Sequence, residues 1–142
     1  LACDLLVAAD DARFILAHAK LGLTPDGGAT WHLVRALPRA AAQHLVWLAE
    51  PAGARQLHGW GVVQTLAAPG QALTEALRLA DRLAALAPNA LAGAKELINA
   101  AAGQGLAAQL AAERDQFLLT LFHANGGEGL QAAVAKRPPK FV

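Results

Sequence analysis

An α/β front followed by a helix-only back is the fold class that this chain predicts, and three observations predict it. Short apolar runs of strand type occur only within residues 1–66. Everything after Pro69-Gly70 carries helical spacing. The chain has 142 residues, 55% of them hydrophobic and 16% charged, which suits one modest core built mostly from Ala, Leu and Val. Residues 1–66 are therefore read as an α/β layer. Residues 67–142 are read as helices packed beside that layer or on a partner subunit.

The elements follow in order. Residues 4–9 read as a buried strand ending at Asp10-Asp11, and Phe14-Ile15-Leu16 as a second short strand. Leu21-Gly22-Leu23 leads into a turn in which Pro25 suits the second position and Gly27 the fourth. A helix is expected over 29–37, stopped by Pro38, and another over 40–49, broken by Pro51 and Gly53. A short helix over 54–58 ends at Gly59-Trp60-Gly61, and the β-branched run 62–66 is a strand. Residues 71–87 place Leu73, Leu77, Ala80 and Leu83 on one stripe of a helix. Asn89 is expected to cap a helix over 90–102, ended by Gly103. A long helix over 106–123 places Leu106, Leu110, Phe117, Leu121 and Phe122 on a core face and ends at Asn125-Gly126-Gly127. A last helix spans about 128–136 before Pro138-Pro139.

Charge and residue usage exclude several function classes. Twelve basic and eleven acidic residues leave a net charge of +1, so there is no general basic field for nucleic acid. No apolar run is long enough and free enough of charge to span a bilayer, and no signal-peptide pattern opens the chain. The single cysteine, Cys3, excludes an internal disulfide and fits a reducing, cytoplasmic setting, where it is expected to pack as a small hydrophobe in the first strand. The absence of methionine and the start in mid-pattern suggest that these residues belong to something longer.

Candidate chemistry narrows quickly. The five histidines show no metal-ligand spacing, so no metal is expected. There is no serine to act as nucleophile and no phosphate-binding Gly-Lys-Thr loop. Asp26 remains, in a Pro-Asp-Gly-Gly turn that opens onto an apolar helix. Such a carboxylate either caps the helix or, at the edge of an apolar pocket, does proton chemistry. His18, eight residues earlier, reads either as a core-edge histidine or as a substrate contact.

Several ordered blocks resemble the crotonase (enoyl-CoA hydratase/isomerase) superfamily along nearly the whole chain. Leu1-Ala2-Cys3-Asp4 is similar to its Ala-Cys-Asp strand, and Ala12-Arg13-Phe14 with Leu21-Gly22-Leu23-x-Pro25 to its most recognisable block. Ala54 with Gly61-Val62-Val63, Ala94-Lys95-Glu96, Glu128-Gly129 and Lys136-Arg137-Pro138-x-Lys140-Phe141 continue the match. The resemblance implies that residues 1–66 are the C-terminal part of a spiral α/β core and 67–142 a helical trimerisation region. It implies acyl-CoA thioesters as substrates, no cofactor besides, and a homotrimer or dimer of trimers. The amides that hold the thioester oxygen would then lie before Leu1, so the chain alone is expected to be inactive.

Departures from the family pattern narrow the reaction. His18 stands where the two-glutamate hydratases have their second glutamate. Asp26, with Lys20-Leu21-Gly22-Leu23-x-Pro25 before it and Thr30-Trp31 after it, resembles the branch that includes the 1,2-epoxyphenylacetyl-CoA isomerases, where the matching aspartate shuttles a proton. The superfamily's 4-chlorobenzoyl-CoA dehalogenases place a nucleophilic aspartate at a similar point. The resemblance makes Asp26 the catalytic residue and His18, Lys136, Arg137 and Phe141 substrate contacts, the last three at the CoA nucleotide. A non-catalytic oligomerisation module, with Asp26 as a cap, is the alternative of another class.

Overall fold

A computed structural model describes residues 1–142. The chain divides into two compact units, Leu1–Arg78 and Leu79–Val142. The division falls inside a helix, beyond the change of composition at residue 66.

The first unit is closed by a parallel pair. Strand β1 (Val7–Ala9) lies beside β4 (Thr65–Ala67), with Val7 opposite Thr65. Strand β2 (Arg13–Phe14) pairs antiparallel with β3 (Ala52–Gly53). Helices α1 (Ala29–Ala36) and α2 (Arg39–Leu48) run between β2 and β3, and α3 (Ala54–Gly59) between β3 and β4. The core is small-residue rich, as the composition predicts: Ala8, Ala42, Ala52 and Ala54 are buried with Leu33, Leu37, Leu45, Leu57, Val62 and Val63.

Three strand expectations change. The first strand begins at Val7 rather than residue 4, because the amide of Leu6 is taken by the Gln64 side chain at 2.6 Å and not by a strand partner. Residues 1–5 are exposed, and so is Cys3, which does not pack as a core residue in this chain. The strand expected over 14–16 is only Arg13–Phe14, and Ala52–Gly53, expected as a break, is its partner. Val62 and Val63 are buried but not in a strand. Their amides both return to the Leu57 carbonyl, at 2.9 and 3.3 Å, and close the end of α3. Gly61, at φ +80°, makes that closure possible, since an L side chain resists the left-handed region.

Helix α4 (Ala72–Ala84) leads into the second unit, which holds α5 (Pro88–Ala101), α6 (Leu106–Leu121) and α7 (Ala124–Val134). Pro88 opens α5, with Ala87 at the cap, so Asn89 is not the N-cap. Its side-chain oxygen instead accepts a hydrogen bond at 2.9 Å from Nδ2 of the buried Asn125. Asn125-Gly126-Gly127 starts α7 and does not end the helix before it. His123 supplies the cap: its Nδ1 accepts from the Asn125 amide at 3.1 Å.

The stripe expected to line a core on the long helix does not do so here. Leu106, Leu110 and Phe117 are exposed, and Phe122 is 83% exposed. Leu73 and Leu77 on α4 are exposed as well.

Gly126 is a packing requirement. A Cβ built there would stand 2.3 Å from the Thr120 carbonyl oxygen and 2.7 Å from that of Leu121, both rigid backbone. Gly126→Ala is expected to destabilise the chain by about 1–3 kcal/mol, the usual cost of overpacking. Urea unfolding of the two forms, compared at equal slope, measures it.

Candidate functional site

Asp26 is positioned by a glycine pair. Gly27 and Gly28 take φ of +57° and +77°, and the Ala29 amide donates to the Asp26 carbonyl at 3.0 Å. Asp26 is thus the first corner of a mirror-image turn with both glycines at its centre. That turn sits further along the chain than the one read from Pro25, because only glycine enters two successive left-handed positions cheaply.

The turn also separates the two roles open to Asp26. Gly28 is the N-cap residue of α1, and no side chain caps that helix. The Asp26 carboxylate is therefore not its cap. The side chain is 92% exposed, so the apolar enclosure expected around it is not supplied by this chain's own surface. It points next to a histidine instead: His18 Nε2 lies 3.4 Å from Asp26 Oδ1.

His18 is held by a 3-10 turn, Ala17–Leu21, where the sequence offered no element. Gly22 ends the turn at φ +70°, and the Leu23 amide donates to the His18 carbonyl at 2.9 Å. The turn packs on α2. The His18 side chain is only 28% exposed, and its Nδ1 is buried with no hydrogen-bond partner. Leu16, directly before this turn, lines an apolar cleft of about 200 Å³ together with Phe14, Ile15, Leu33, Leu45 and Leu57. Beyond the turn, Arg35 lies over the Trp31 ring at 3.7 Å, a cation–π contact that the four-residue spacing could have disclosed.

The other predicted residues form a second set, in the second unit. Lys136 is exposed and sits at φ +51° just past α7. The Lys136 and Arg137 amides bond back to Ala133 and Ala132, closing the helix in the double-bonded manner usually given to glycine. Arg137 is occupied: its two terminal nitrogens donate to the Glu128 carboxylate at 2.6 and 2.9 Å. The Lys140 amide donates to the same carboxylate at 2.7 Å. The Phe141 ring lies along α7 where Gly129 leaves room, a Cβ there being 3.6 Å from the ring. Glu128 was legible only as part of a family motif; its pairing with Arg137 was not, since the partner lies nine positions on, beyond the helix end.

With this geometry in hand, the match to known proteins is decisive. The family model for enoyl-CoA hydratase/isomerase matches residues 1–142. The chain belongs to that family. It is 38% identical over 139 residues to a 1,2-epoxyphenylacetyl-CoA isomerase of Escherichia coli K12, covering 98% of this chain and 53% of the relative. A 2,3-dehydroadipyl-CoA hydratase of the same organism is 35% identical over 141 residues, covering 99% of this chain and 55% of the relative. Among solved structures, an enoyl-CoA hydratase from Polaromonas sp. JS666 superposes with a TM-score of 0.96 at 50% identity, over 99% of this chain and 55% of that one. The crotonase fold expected from the sequence motifs is thereby established for this enoyl-CoA hydratase/isomerase family member, which spans about half the length of the relatives it matches.

The Glu128 cluster makes a pH prediction. The Arg137 guanidinium, and then the Lys140 amide, hold the Glu128 carboxyl down at about 2, against 4.5 for a free glutamate. A depressed folded value stabilises the fold above the unfolded value, and that contribution fades as pH falls from about 4.5 to about 2. Glu128→Gln should therefore lower stability at pH 6 and make little difference near pH 2, which denaturant unfolding at the two pH values tests.

Proposed function

We propose that this chain carries the proton-transfer group of an acyl-CoA isomerase, with Asp26 taking and returning the proton. One observation carries the reading: an exposed carboxylate, not engaged as a helix cap, stands beside the Gly27-Gly28 turn at 3.4 Å from His18. The similarity to a relative named 1,2-epoxyphenylacetyl-CoA isomerase supports it.

Double-bond isomerisation needs only one such group. A C–H bond conjugated with the thioester breaks, its proton passes to the Asp26 carboxylate, and the electron pair spreads into the thioester carbonyl as an enolate. The same carboxyl then protonates a different carbon, and nothing is consumed. Hydration also needs an activated water, work that the family resemblance assigns to two glutamates. Here His18 stands at the second of those positions. Hydration and acyl-CoA dehalogenation are the competing reactions, and the similarity to a 2,3-dehydroadipyl-CoA hydratase speaks for the first. By the family resemblance, the amides that hold the enolate oxygen lie outside these 142 residues. Lys136 is the exposed cation best suited to the CoA phosphates. Arg137 and Phe141 act there through the ordered segment that they build.

Asp26→Asn in the complete polypeptide containing these residues tests the reading. Isomerisation of 3-hexenoyl-CoA should fall by about 10²–10⁴-fold. The 142-residue chain alone should show no turnover. Turnover of the asparagine form at the wild-type rate would remove Asp26 from the mechanism.

A second reading, self-association, is favoured by the exposed apolar side chains of α4 and α6. Copies of the chain that bury these faces would form the trimer that the resemblance implies. Sedimentation equilibrium should give a mass above that of one chain at high concentration, and a monomer throughout would count against it.

A further inference from the structure

The His18 ring is more constrained than a substrate contact requires. Two observations on its two nitrogens bear on this. Nε2 faces Asp26 Oδ1 at 3.4 Å, and Nδ1 is buried without a partner. An ionised carboxylate only accepts hydrogen bonds, so a hydrogen bond from His18 to Asp26 requires a proton on Nε2. A second proton on Nδ1 would put an unpaired cationic N–H in the interior, whereas a bare lone pair there costs much less. Of the two neutral tautomers, the one with its proton on Nε2 suits both nitrogens.

We propose that His18 is the positioning residue of Asp26, a neutral imidazole whose Nε2–H steers the carboxylate into its working rotamer. This rests on the reading of Asp26 as the proton carrier. The need for steering lies in the side chain itself: the glycine turn sets only the backbone beside Asp26, and only one rotamer presents an oxygen to a given substrate carbon. His18 is suited to the task because its own backbone is fixed, its carbonyl bound by the Leu23 amide at 2.9 Å and its 3-10 turn closed by Gly22. At 3.4 Å the contact is longer than a good hydrogen bond, and a small rotation of the exposed Asp26 side chain closes it. The proton on Nε2 stays on the ring throughout. It donates to whichever Asp26 oxygen is not receiving the substrate proton, so His18 touches the reaction only through Asp26.

Kinetics in the complete polypeptide separate this role from others. With 3-hexenoyl-CoA, His18→Leu should lower kcat about 10- to 100-fold with KM little changed, the penalty of a misplaced reacting group. His18→Gln puts an amide N–H near the position of Nε2 and should recover most of that loss. His18→Leu combined with Asp26→Asn should be no slower than Asp26→Asn alone. A wild-type kcat in His18→Leu, a glutamine form as slow as the leucine form, or full additivity with Asp26→Asn would each overturn the proposal. Asp26→Asn at the wild-type rate would instead overturn the proton-carrier reading beneath it. A long-range ¹H–¹⁵N spectrum of the complete polypeptide supplies a check free of activity. Protonated Nε2 with bare Nδ1 on His18 is expected, and the reverse tautomer or a doubly protonated ring overturns the proposal.

Discussion

The parallel contact between β1 and β4 is the constraint on which the first unit depends. It joins positions 58 residues apart, and the chain between them supplies the rest of that unit's core up to Val63. Closing so long a loop costs chain entropy that must be offset at the seam and in the core behind it. Gln64 does much of the work at the seam. Its side chain receives the Leu6 amide, its own amide donates to the Leu6 carbonyl at 2.9 Å, and its Nε2 ties back to the Gly61 carbonyl. Gly61, just past α3, and Leu6, just before β1, are thereby tied to the residue that precedes β4. The 3-10 turn and the Asp26 turn hang from this frame.

What was legible in the sequence follows from which signals are local. Helix positions came through within a few residues, because Pro38, Pro51 and Gly61 act on the backbone where they stand. Strand limits did not, since a strand ends where its partner ends. The partner of β1 is three residues long, and nothing near residue 4 records that. Asn125-Gly126-Gly127 misled for a related reason. Gly126 is present for clearance against a backbone carbonyl, not for a turn, and a glycine by itself does not say which.

The candidate site divides in the same way. The Asp26 turn was visible in Pro-Asp-Gly-Gly, although the side-chain cap was a fair competitor until Gly28 took that position. The approach of His18 to Asp26 was not visible, because it needs the 3-10 turn and its glycine stop. At the other end, Arg137 and Phe141 stood out as basic and aromatic residues suited to a ligand. Glu128 and Gly129 account for much of their placement within the chain itself. Lys136 differs. It occupies a left-handed position where glycine costs less, at an exposed point where its side chain remains available.

The openness of Asp26 has a consequence for the role proposed for it. The glycine turn fixes the backbone beside Asp26, but the dielectric around the carboxylate is set by whatever substrate or surface lies above it. In the proposed role, position and reactivity would be controlled by separate pieces of protein. A substitution in a covering surface would then change the reactivity without disturbing the turn, and one in the turn would displace the carboxylate whatever covers it.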